Sequence, residues 1–473
     1  MKYQTPEQFY FRLHHIRPRF KNNVEEVLIF MATELSKMKP AEKKEFIAKF
    51  DGVIRLFPEN ATKEEKTIKN WRTEISSLFG LVETDGDQYK TGHIAFKLAE
   101  NQDLVEFFKY FLFRFQYPGG HLKPHESVKC INAGIKFKPV QFILKLLEIG
   151  EKALATDGGE KRFYLTKAEL THCIFNDLRF TTGQLGASEA LKLITDNRKT
   201  NTQYDWSGDV VRYAGDILDY MVLANLLEIR GNNYVINWGE REAITKFLTS
   251  TERFSLYDKF YGDPSLKSED ISALQDEWFH FVNRDLGSDL FKTDVLKYLG
   301  IKEETYETLV QGAIASLHED IERGDSRTKN IGDLGENLIV GHESMRLKVG
   351  GREDLIRLIK KIPNHFAMGF DIQSVEFDER TRCIEVKSTI SSKKLNFYNV
   401  HLTPNEWSAA ESFGERYFIY RLVISKEGRD LFIIQDPVDK YRQKLMKMSP
   451  RNGADIVFSD QCGERSELLI WQK

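Results

Sequence analysis

Two short segments of the C-terminal third decide its fold, Gly369-Phe370-Asp371-Ile372 and Cys383-Ile384-Glu385-Val386-Lys387-Ser388-Thr389. The first predicts a short strand, residues 373–379 predict a second strand ending in a turn at Asp378-Glu379-Arg380, and the second segment predicts the next strand. Glu385 and Lys387 are two residues apart, so their side chains point to the same face, while Ile384 and Val386 point to the other. We expect Asp371 to meet that polar face across the hairpin.

This face has the chemistry of a hydrolase for phosphodiesters. Two carboxylates, Asp371 and Glu385, make an oxygen-lined site suited to Mg²⁺. Lys387 beside them could orient or help deprotonate an attacking water and stabilise charge on phosphate. Glu336, on a helix predicted to open around residue 332, could bind the metal directly or through water. Taken singly, each residue also fits a structural role, with Asp371 capping a turn and Glu385 and Lys387 on a solvated strand face.

The elements that follow complete a recognisable pattern. A helix is predicted over Thr403–Ala410 and a strand over Tyr417–Ile424. The order Glu, Asp, Glu-x-Lys on helix, strand, hairpin, helix and strand resembles the PD-(D/E)xK nuclease superfamily, with Phe370 where that superfamily usually has Pro. Closer similarity to the NO VEIN-type C-terminal domain, over about 325–445, is carried by Gly332-x-x-Gly335-Glu336, Gly369-Phe370-Asp371-Ile372, Ile384-Glu385-Val386-Lys387-Ser388-Thr389 and Leu402-Thr403-x-Asn405-Glu406-Trp407.

The resemblance implies specific roles for these residues. It implies an α/β restriction-endonuclease-like domain with a central mixed sheet and Mg²⁺ as cofactor. Asp371 and Glu385 would be the metal ligands, Lys387 the catalytic lysine, and Glu336 a further catalytic residue.

Composition excludes several classes of protein. The chain has 473 residues, of which 41% are hydrophobic and 29% charged, so it is neither globally disordered nor a fibrous repeat. Its four cysteines form no C-x-x-C pair, which argues against a structural zinc site and for a reducing compartment. No apolar run approaches the ~20 residues of a membrane helix, and the first residues lack the apolar segment of a secretory signal. We expect a cytoplasmic, bacterial protein.

Charge is distributed unevenly along the chain. The net charge is −3 overall, yet residues 1–140 carry 23 basic and 18 acidic residues and residues 251–330 carry 10 and 17. A basic front suits a polyanion, and the acidic segment does not. We predict a first recognition module over 1–136, a second over 137–250, a helical connector over 251–324 with a joint near Gly324-Asp325-Ser326, and the nuclease domain over 325–473.

The first module has the order of a winged helix. Helices over 24–50 break at Pro40, a helix capped by Thr62 runs to Phe79, and a hairpin is predicted over 81–98 with its turn at Asp85-Gly86-Asp87. The apolar 107–115 segment is assigned to the core. Predicted DNA contacts are the side chains of Lys63, Lys66, Lys69, Asn70 and Arg72 on the helix and Gln88, Lys90 and His93 on the wing.

A similar order recurs in the second module. Helices are predicted at Val140–Leu147, from Thr166 and over Gly208–Ala224, followed by two strands that turn at Gly231-Asn232-Asn233. The polar stretch Asn197–Ser207 is assigned to a loop before the last of these helices. Predicted DNA contacts are Asn197, Arg198, Lys199, Asn201, Gln203, Tyr204 and Arg212, each of which could instead belong to a solvated surface.

Together these features predict a multidomain protein with a mainly α, winged-helix-type N-terminal half. Its architecture resembles the type IIS restriction endonucleases, which recognise an asymmetric site and cut nearby. The predicted activity is a Mg²⁺-dependent, sequence-specific DNA endonuclease acting on double-stranded DNA. The predicted assembly is a monomer that pairs through its catalytic domains on DNA. The alternatives are a modification- or structure-dependent nuclease and a catalytically silent DNA-binding regulator.

Overall fold

The computed structural model describes residues 2–15, 18–57, 60–156, 162–287, 290–293, 298, 331–362, 368–395, 398–450 and 453–470. The chain divides into two compact units. The first comprises Met1–Glu100 and Leu104–Phe291, and the second Asn101–Asp103 and Lys292–Lys473. The predicted joint at 324–326 lies outside the described residues. Within them, no helix is both long and apolar enough to cross a membrane.

The first unit begins with helices around a small sheet. Its helices are α1 (Val24–Ser36), α2 (Lys43–Leu56), α3 (Glu65–Thr73, continued by a π-helical turn, Glu74–Leu78), α4 (His93–Asn101) and α5 (Leu104–Arg114). Its strands are β1 (Ala41–Glu42), β2 (Val82–Asp85) and β3 (Gln88–Thr91), arranged in the order β1-β3-β2. Helix α5 is buried on every side, which confirms that the 107–115 segment belongs to the core.

Three local predictions in this part were wrong. The helix after Pro40 begins at Lys43, because residues 41–42 pair with β3 as a strand. Thr62 does not cap α3, which starts at Glu65 without a side-chain cap. The hairpin ends at Thr91, so His93 opens a helix and is not part of the wing. The alternation read over 93–98 belongs to the amphipathic face of α4, where Ile94, Ala95 and Leu98 are buried.

The rest of the first unit is mainly helical. It contains α6 (Pro124–Asn132), α7 (Pro139–Thr156), α8 (Lys167–Leu170, continued by a π-helical turn, Thr171–Phe175), α9 (Leu178–Thr181), α10 (Ala187–Lys199), α11 (Asp209–Leu223), α12 (Arg241–Thr249), α13 (Ser268–Ser272) and α14 (Gln275–Asn283). Strands β4 (Leu227–Arg230) and β5 (Asn233–Ile236) form a hairpin. An isolated bridge joins Leu165 to Tyr234, so a third short segment lies against β5.

Three predictions concern this part of the first unit. The start of a helix at Thr166 is confirmed, with a reciprocal capping box between Thr166 and Glu169. The loop predicted over 197–207 was wrong at its start, because α10 extends to Lys199 and therefore includes Arg198. The segment predicted to begin the connector packs into this unit through a cluster that includes Phe254, Tyr257, Trp278 and Ile131.

The second unit has a mixed sheet at its centre. Its helices are α15 (Ile331–Val349), α16 (Pro404–Phe413) and α17 (Pro437–Arg442). Its strands are β6 (Lys360–Lys361), β7 (Ile372–Val375), β8 (Thr381–Ile390), β9 (Asn399–Leu402), β10 (Tyr417–Ser425), β11 (Gly428–Gln435), β12 (Lys447–Pro450), β13 (Ala454–Val457) and β14 (Glu464–Glu467). Both units also contain short 3-10 turns. Those of the first unit lie at Glu7–Phe9, Lys21–Asn23, Trp238–Glu240 and Asp258–Phe260, and those of the second at Glu353–Leu358, Gly414–Arg416 and Asp460–Cys462.

The sheet order positions the candidate site. The main sheet runs β14-β11-β10-β8-β7-β6, with β8 and β10 parallel and the other neighbours antiparallel. A separate sheet has the order β12-β13-β9. Strand β10 is buried along its whole length, as expected for a strand covered on both faces. The two strands predicted over 369–379 are one strand, β7, followed by a turn in which Glu379 has φ +72°.

Candidate active site

Strand β8 presents the carboxylate of Glu385 and the ammonium group of Lys387 on the same face. Glu385 is only 3% exposed, and its Oε1 lies 2.6 Å from Nζ of Lys387. The neighbouring strand β10 runs parallel, with Ile419 beside Glu385 and Arg421 beside Lys387. Burial is the largest influence on Glu385 and raises its pKa well above the ordinary range, although Lys387 partly offsets that effect. An anionic Glu385 therefore needs a cation close to it.

Asp371 lies where the sequence predicted it, beside this face. It directly precedes β7, and its N–H donates to the carbonyl oxygen of Ile384 at 2.9 Å. The backbone N–H of Val386 donates to Asp371 Oδ2 at 2.8 Å. Burial raises the pKa of Asp371, and the Val386 hydrogen bond and the charge of Lys387 act against that rise. The carboxylate is thus anchored next to Glu385, and its negative charge raises the pKa of Glu385.

Glu336 reaches the same region from helix α15. The residue before it, Gly335, faces Ser388 of β8 so closely that a Cβ atom there would clash with the serine hydroxyl. The helix can therefore approach the strand, and Glu336 is 9% exposed. Its Oε2 lies 2.8 Å from Nζ of Lys361, a residue of β6. Burial raises the pKa of Glu336, Lys361 lowers it, and the charge of Asp371 raises it further.

Two more charged residues touch this group and had no role in the sequence prediction. Glu406 Oε2 lies 2.9 Å from Nζ of Lys387. Glu406 stood in a motif, but the Thr403-x-x-Glu406 spacing indicates only a capping box, which the structure contains. Lys361 lies in a two-residue strand with no readable pattern, and no local signal would have paired it with Glu336.

The backbone before Asp371 is also fixed. The hydroxyl of Tyr417, at the start of β10, donates to the carbonyl oxygen of Gly369 at 2.9 Å. Gly369 itself has φ +76°, and a Cβ atom there would contact the backbone of Asn405. This close approach requires glycine and places the turn before Asp371 against the start of α16.

The donor set fits a hard divalent cation. Glu336, Asp371, Glu385 and Glu406 are four carboxylates interacting with two ammonium groups, Lys361 and Lys387. Asp333 also lies 3.5 Å from Lys361, so the carboxylates outnumber the ammonium groups, and a divalent cation would offset this excess of acidic groups. In the described part of the chain, no three His, Cys, Asp or Glu side chains are already arranged as ligands around one point. Mg²⁺ is commonly held by one or two carboxylates with water and substrate oxygens, so Asp371 and Glu385 could hold it.

The predicted DNA contacts fall into two groups. Arg72 is ion-paired with Asp51 at 2.6 Å, and Arg198 is paired with Glu169 at 2.7 Å and also donates to the Tyr164 carbonyl. These two guanidinium groups already have partners within the protein. The exposed members of the set are Lys63, Lys66, Lys69, Gln88, His93, Lys199, Asn201, Gln203 and Arg212, while Asn70, Lys90, Asn197 and Tyr204 are half-buried.

The first unit matches a known family. Residues 3–279, more than half of the chain, match the family model of the N-terminal part of restriction endonuclease BpuJI. The chain belongs to this BpuJI N-terminal family. Residues 335–434 match a second model, the C-terminal region of protein NO VEIN, and this range includes Glu336, Asp371, Glu385, Lys387 and Glu406. With both matches, this member of the BpuJI family is a restriction-enzyme-like protein.

Among solved structures, the chain is similar to one described as pyrene- and phenanthrene-modified DNA in complex with the BpuJ1 endonuclease binding domain. The similarity covers 59% of this chain and 100% of that chain, with 23% identity and a TM-score of 0.49. No curated protein matches the chain.

Proposed function

We propose that this protein is a Mg²⁺-dependent, sequence-specific DNA endonuclease in which the second unit cleaves DNA and the first recognises it. The observation that carries the proposal is the grouping of Asp371, Glu385 and Lys387, with buried carboxylates in excess over the lysines around them. Buried carboxylates with raised pKa values are a costly arrangement unless they serve a cation or a reaction.

The order of elements supports a PD-(D/E)xK nuclease fold. Helix α15 carries Glu336. Asp371 directly precedes β7, which pairs antiparallel with β8, and β8 carries Glu385 and Lys387. Helix α16 leads to β10, which pairs in parallel with β8. The match of residues 335–434 to the NO VEIN C-terminal model covers these elements. The first unit belongs to the BpuJI N-terminal family, which supports a restriction endonuclease as the class of protein.

The residues of the chain have separable tasks in hydrolysis. Lys387 is held between two carboxylates, which raise its pKa against the effect of burial. Its ammonium group can donate hydrogen bonds to the attacking water or to a phosphate oxygen. Asp371 and Glu385 would hold the cation, which when bound polarises the phosphate and lowers the pKa of a bound water. The Val386 N–H keeps Asp371 oriented for that task.

The first unit supports winged-helix recognition of double-stranded DNA. Its early part follows the order helix, strand, helix, helix and hairpin, and the first strand pairs with the last. The later part repeats this relation, because Leu165 bridges Tyr234 in the last strand of the second hairpin. In such a fold a helix enters the major groove and the hairpin contacts the backbone. Three exposed lysines would contact phosphates: Lys66 and Lys69 on α3, and Lys63 just before it.

A single site of this kind cuts one strand. Double-strand cleavage then requires two catalytic units, so we propose a monomer that pairs on DNA through its second unit and cuts beside an asymmetric site. Cleavage should accelerate with enzyme concentration and on substrates that carry two sites. A rate that is independent of both would contradict transient pairing.

Incubation of the purified protein with phage DNA and Mg²⁺ tests the activity. The expected result is discrete fragments that vanish on chelation and with Asp371→Ala. Comparing methylated DNA with amplified, unmodified DNA separates a sequence-specific enzyme, which cuts unmodified DNA, from a modification-dependent one. Specific binding without cleavage in Mg²⁺ or Mn²⁺ would instead identify a DNA-binding regulator.

A further inference from the structure

We propose that Glu406 is a positioning residue for cleavage, whose carboxylate keeps the Lys387 ammonium in place while Glu385 binds the cation. This inference rests on the proposed nuclease function, and it assigns a task to a residue outside the Asp371, Glu385 and Lys387 set. The observation behind it is that one ammonium group is shared by two carboxylates, at 2.6 Å from Glu385 and 2.9 Å from Glu406.

The shared ammonium of Lys387 matters because Glu385 could pair either with Lys387 or with a bound cation. A lysine ammonium has three hydrogen-bond donors, and two of them are used by these carboxylates. With a cation bound at Glu385, the attraction of this carboxylate for Lys387 would weaken, and the ammonium would lie close to a second positive charge. A poorly solvated ammonium without another anionic partner would be costly and would move towards solvent. Glu406 supplies the partner that remains.

Glu406 is fixed independently of the cation. It is the N3 residue of α16, and its Oε2 accepts a hydrogen bond from the Thr403 N–H at 3.0 Å while its own N–H donates to Thr403 Oγ1. The same Oε2 atom accepts from Lys387. Helix α16 packs through Ala409 and Ala410 into the core of the second unit, so the carboxylate is attached to a rigid element. Positions supported in this way hold catalytic groups in their productive geometry.

Glu406 also has two simpler interpretations. It could act only as a helix cap, or it could be a cation ligand itself, since its charge raises the pKa of both Asp371 and Glu385. The variant Glu406→Gln separates these roles from positioning. Glutamine has the same shape and also suits the N3 position of a capping box, so it preserves the cap and removes the charge. The matched control is Glu411→Gln, an exposed carboxylate on the same helix.

The first readout is single-turnover cleavage by the full chain at saturating Mg²⁺. For Glu406→Gln we expect the cleavage rate to fall by about 10-fold to 100-fold, the range typical of residues that support a catalytic group. The melting temperature, the Kd for DNA and the half-saturating Mg²⁺ concentration should stay as in the parent and in Glu411→Gln. An unchanged rate would overturn the proposal, and so would a higher Mg²⁺ requirement, which would make Glu406 a ligand.

The second readout does not depend on activity. Trace acetylation of the folded full chain with acetic anhydride, quantified at Lys387 by mass spectrometry, reports how firmly its amine is held. In saturating Mg²⁺, Lys387 should react severalfold faster in Glu406→Gln than in the parent or in Glu411→Gln. Equal labelling of Lys387 in the three proteins would overturn the proposal. If the three proteins show this difference in labelling and the parent protein cuts no DNA, the nuclease function is refuted, and only the contact by which Glu406 holds Lys387 is supported.

Discussion

Glu336 on helix α15 forms an ion pair with Lys361 on the edge strand β6, with 2.8 Å between Oε2 and Nζ. The pair lies near Asp371, because Lys361 pairs with Ile372 across β6 and β7 and the N–H of Ile362 donates to the Asp371 carbonyl oxygen at 2.7 Å. The charge of Asp371 raises the pKa of Glu336, and that of Lys361 lowers the pKa of Asp371. A helix and an edge strand therefore both contribute charge to the proposed cation site on β7 and β8.

We expect Glu336→Gln to weaken Mg²⁺ binding and to leave DNA binding unchanged. Removing one buried carboxylate lowers the negative charge around Asp371, so the half-saturating Mg²⁺ concentration should rise by about tenfold, within the range for residues that support metal ligands. A Mg²⁺ titration of the cleavage rate measures this. Glu353→Gln, an exposed residue that follows the same helix, should behave as the parent. An unchanged Mg²⁺ requirement with Glu336→Gln would exclude Glu336 from the site.

The buried carboxylate of Glu343 should be important for the stability of the second unit. It is fully buried and accepts hydrogen bonds from Arg346, from Ser374 at 2.7 Å and from Tyr420 at 2.7 Å. Glu343→Ala would leave Ser374 and Tyr420 without this acceptor and Arg346 and Arg382 with Glu376 as their remaining carboxylate, at a cost of about 3–5 kcal/mol. Urea unfolding of the full chain measures the loss. A change below about 1 kcal/mol, the level of an exposed ion pair, would contradict this assignment.

The same residue should make the second unit sensitive to acid. Burial opposes the Glu343 charge, but Arg382 and Arg346 outweigh it and lower the pKa to about 2. Since the folded pKa lies below the ordinary value, the stabilisation is fully present above about pH 4.5 and is lost as the pH falls towards 2. Unfolding free energies measured across that window should fall less steeply in Glu343→Gln than in the parent. Parallel profiles would contradict the prediction.

Glu74 should have the opposite effect in the first unit. It is buried, with one hydrogen bond from the Arg19 N–H at 3.0 Å, and burial raises its pKa to about 7. A raised folded pKa favours the protonated form, so stability should be greatest below about pH 4.5 and should decline as the pH rises to 7. Glu74→Gln should remove this decline, with a gain of up to about 3 kcal/mol at pH 8. No gain at pH 8 would contradict a desolvated carboxyl here.

Substitution of an exposed lysine and of an ion-paired arginine in the first unit should affect DNA binding differently. Lys66→Ala removes an exposed charge from α3, and it should weaken binding to all sequences and reduce the salt dependence by about one counterion. Arg72→Ala breaks the pair with Asp51 and should lower the stability of the first unit instead. Lys49→Ala on α2 is the control. Binding isotherms over a salt series measure the effect, and identical slopes for Lys66→Ala and Lys49→Ala would remove Lys66 from the interface.

Sequence reasoning was strongest where contacts are local. Glu385 and Lys387 share a face because strand geometry requires it, and Asp371 was placed by the hairpin that joins it to β8. Lys361 and Glu406 were missed because their contacts depend on how β6 and α16 pack against the sheet, which no spacing in the chain reveals.

The errors in the first unit have similar physical causes. Residues 93–98 alternate in polarity, and this alternation predicted a strand. The strand was wrong, because these residues belong to helix α4, which buries one of its faces. Arg198 was placed in a loop because the polar run hides the end of α10, and its guanidinium pairs with Glu169 far back in the chain. The start at Thr166 was read correctly because a capping box is a local signal.

Run-off sequencing of phage DNA digested by the full chain in Mg²⁺, with Asp371→Ala in parallel, tests the central claim most directly. The account predicts ends at a constant offset from one short asymmetric sequence for the parent protein, and no such ends for Asp371→Ala. Ends scattered without a common sequence, or the same ends from both proteins, would contradict it.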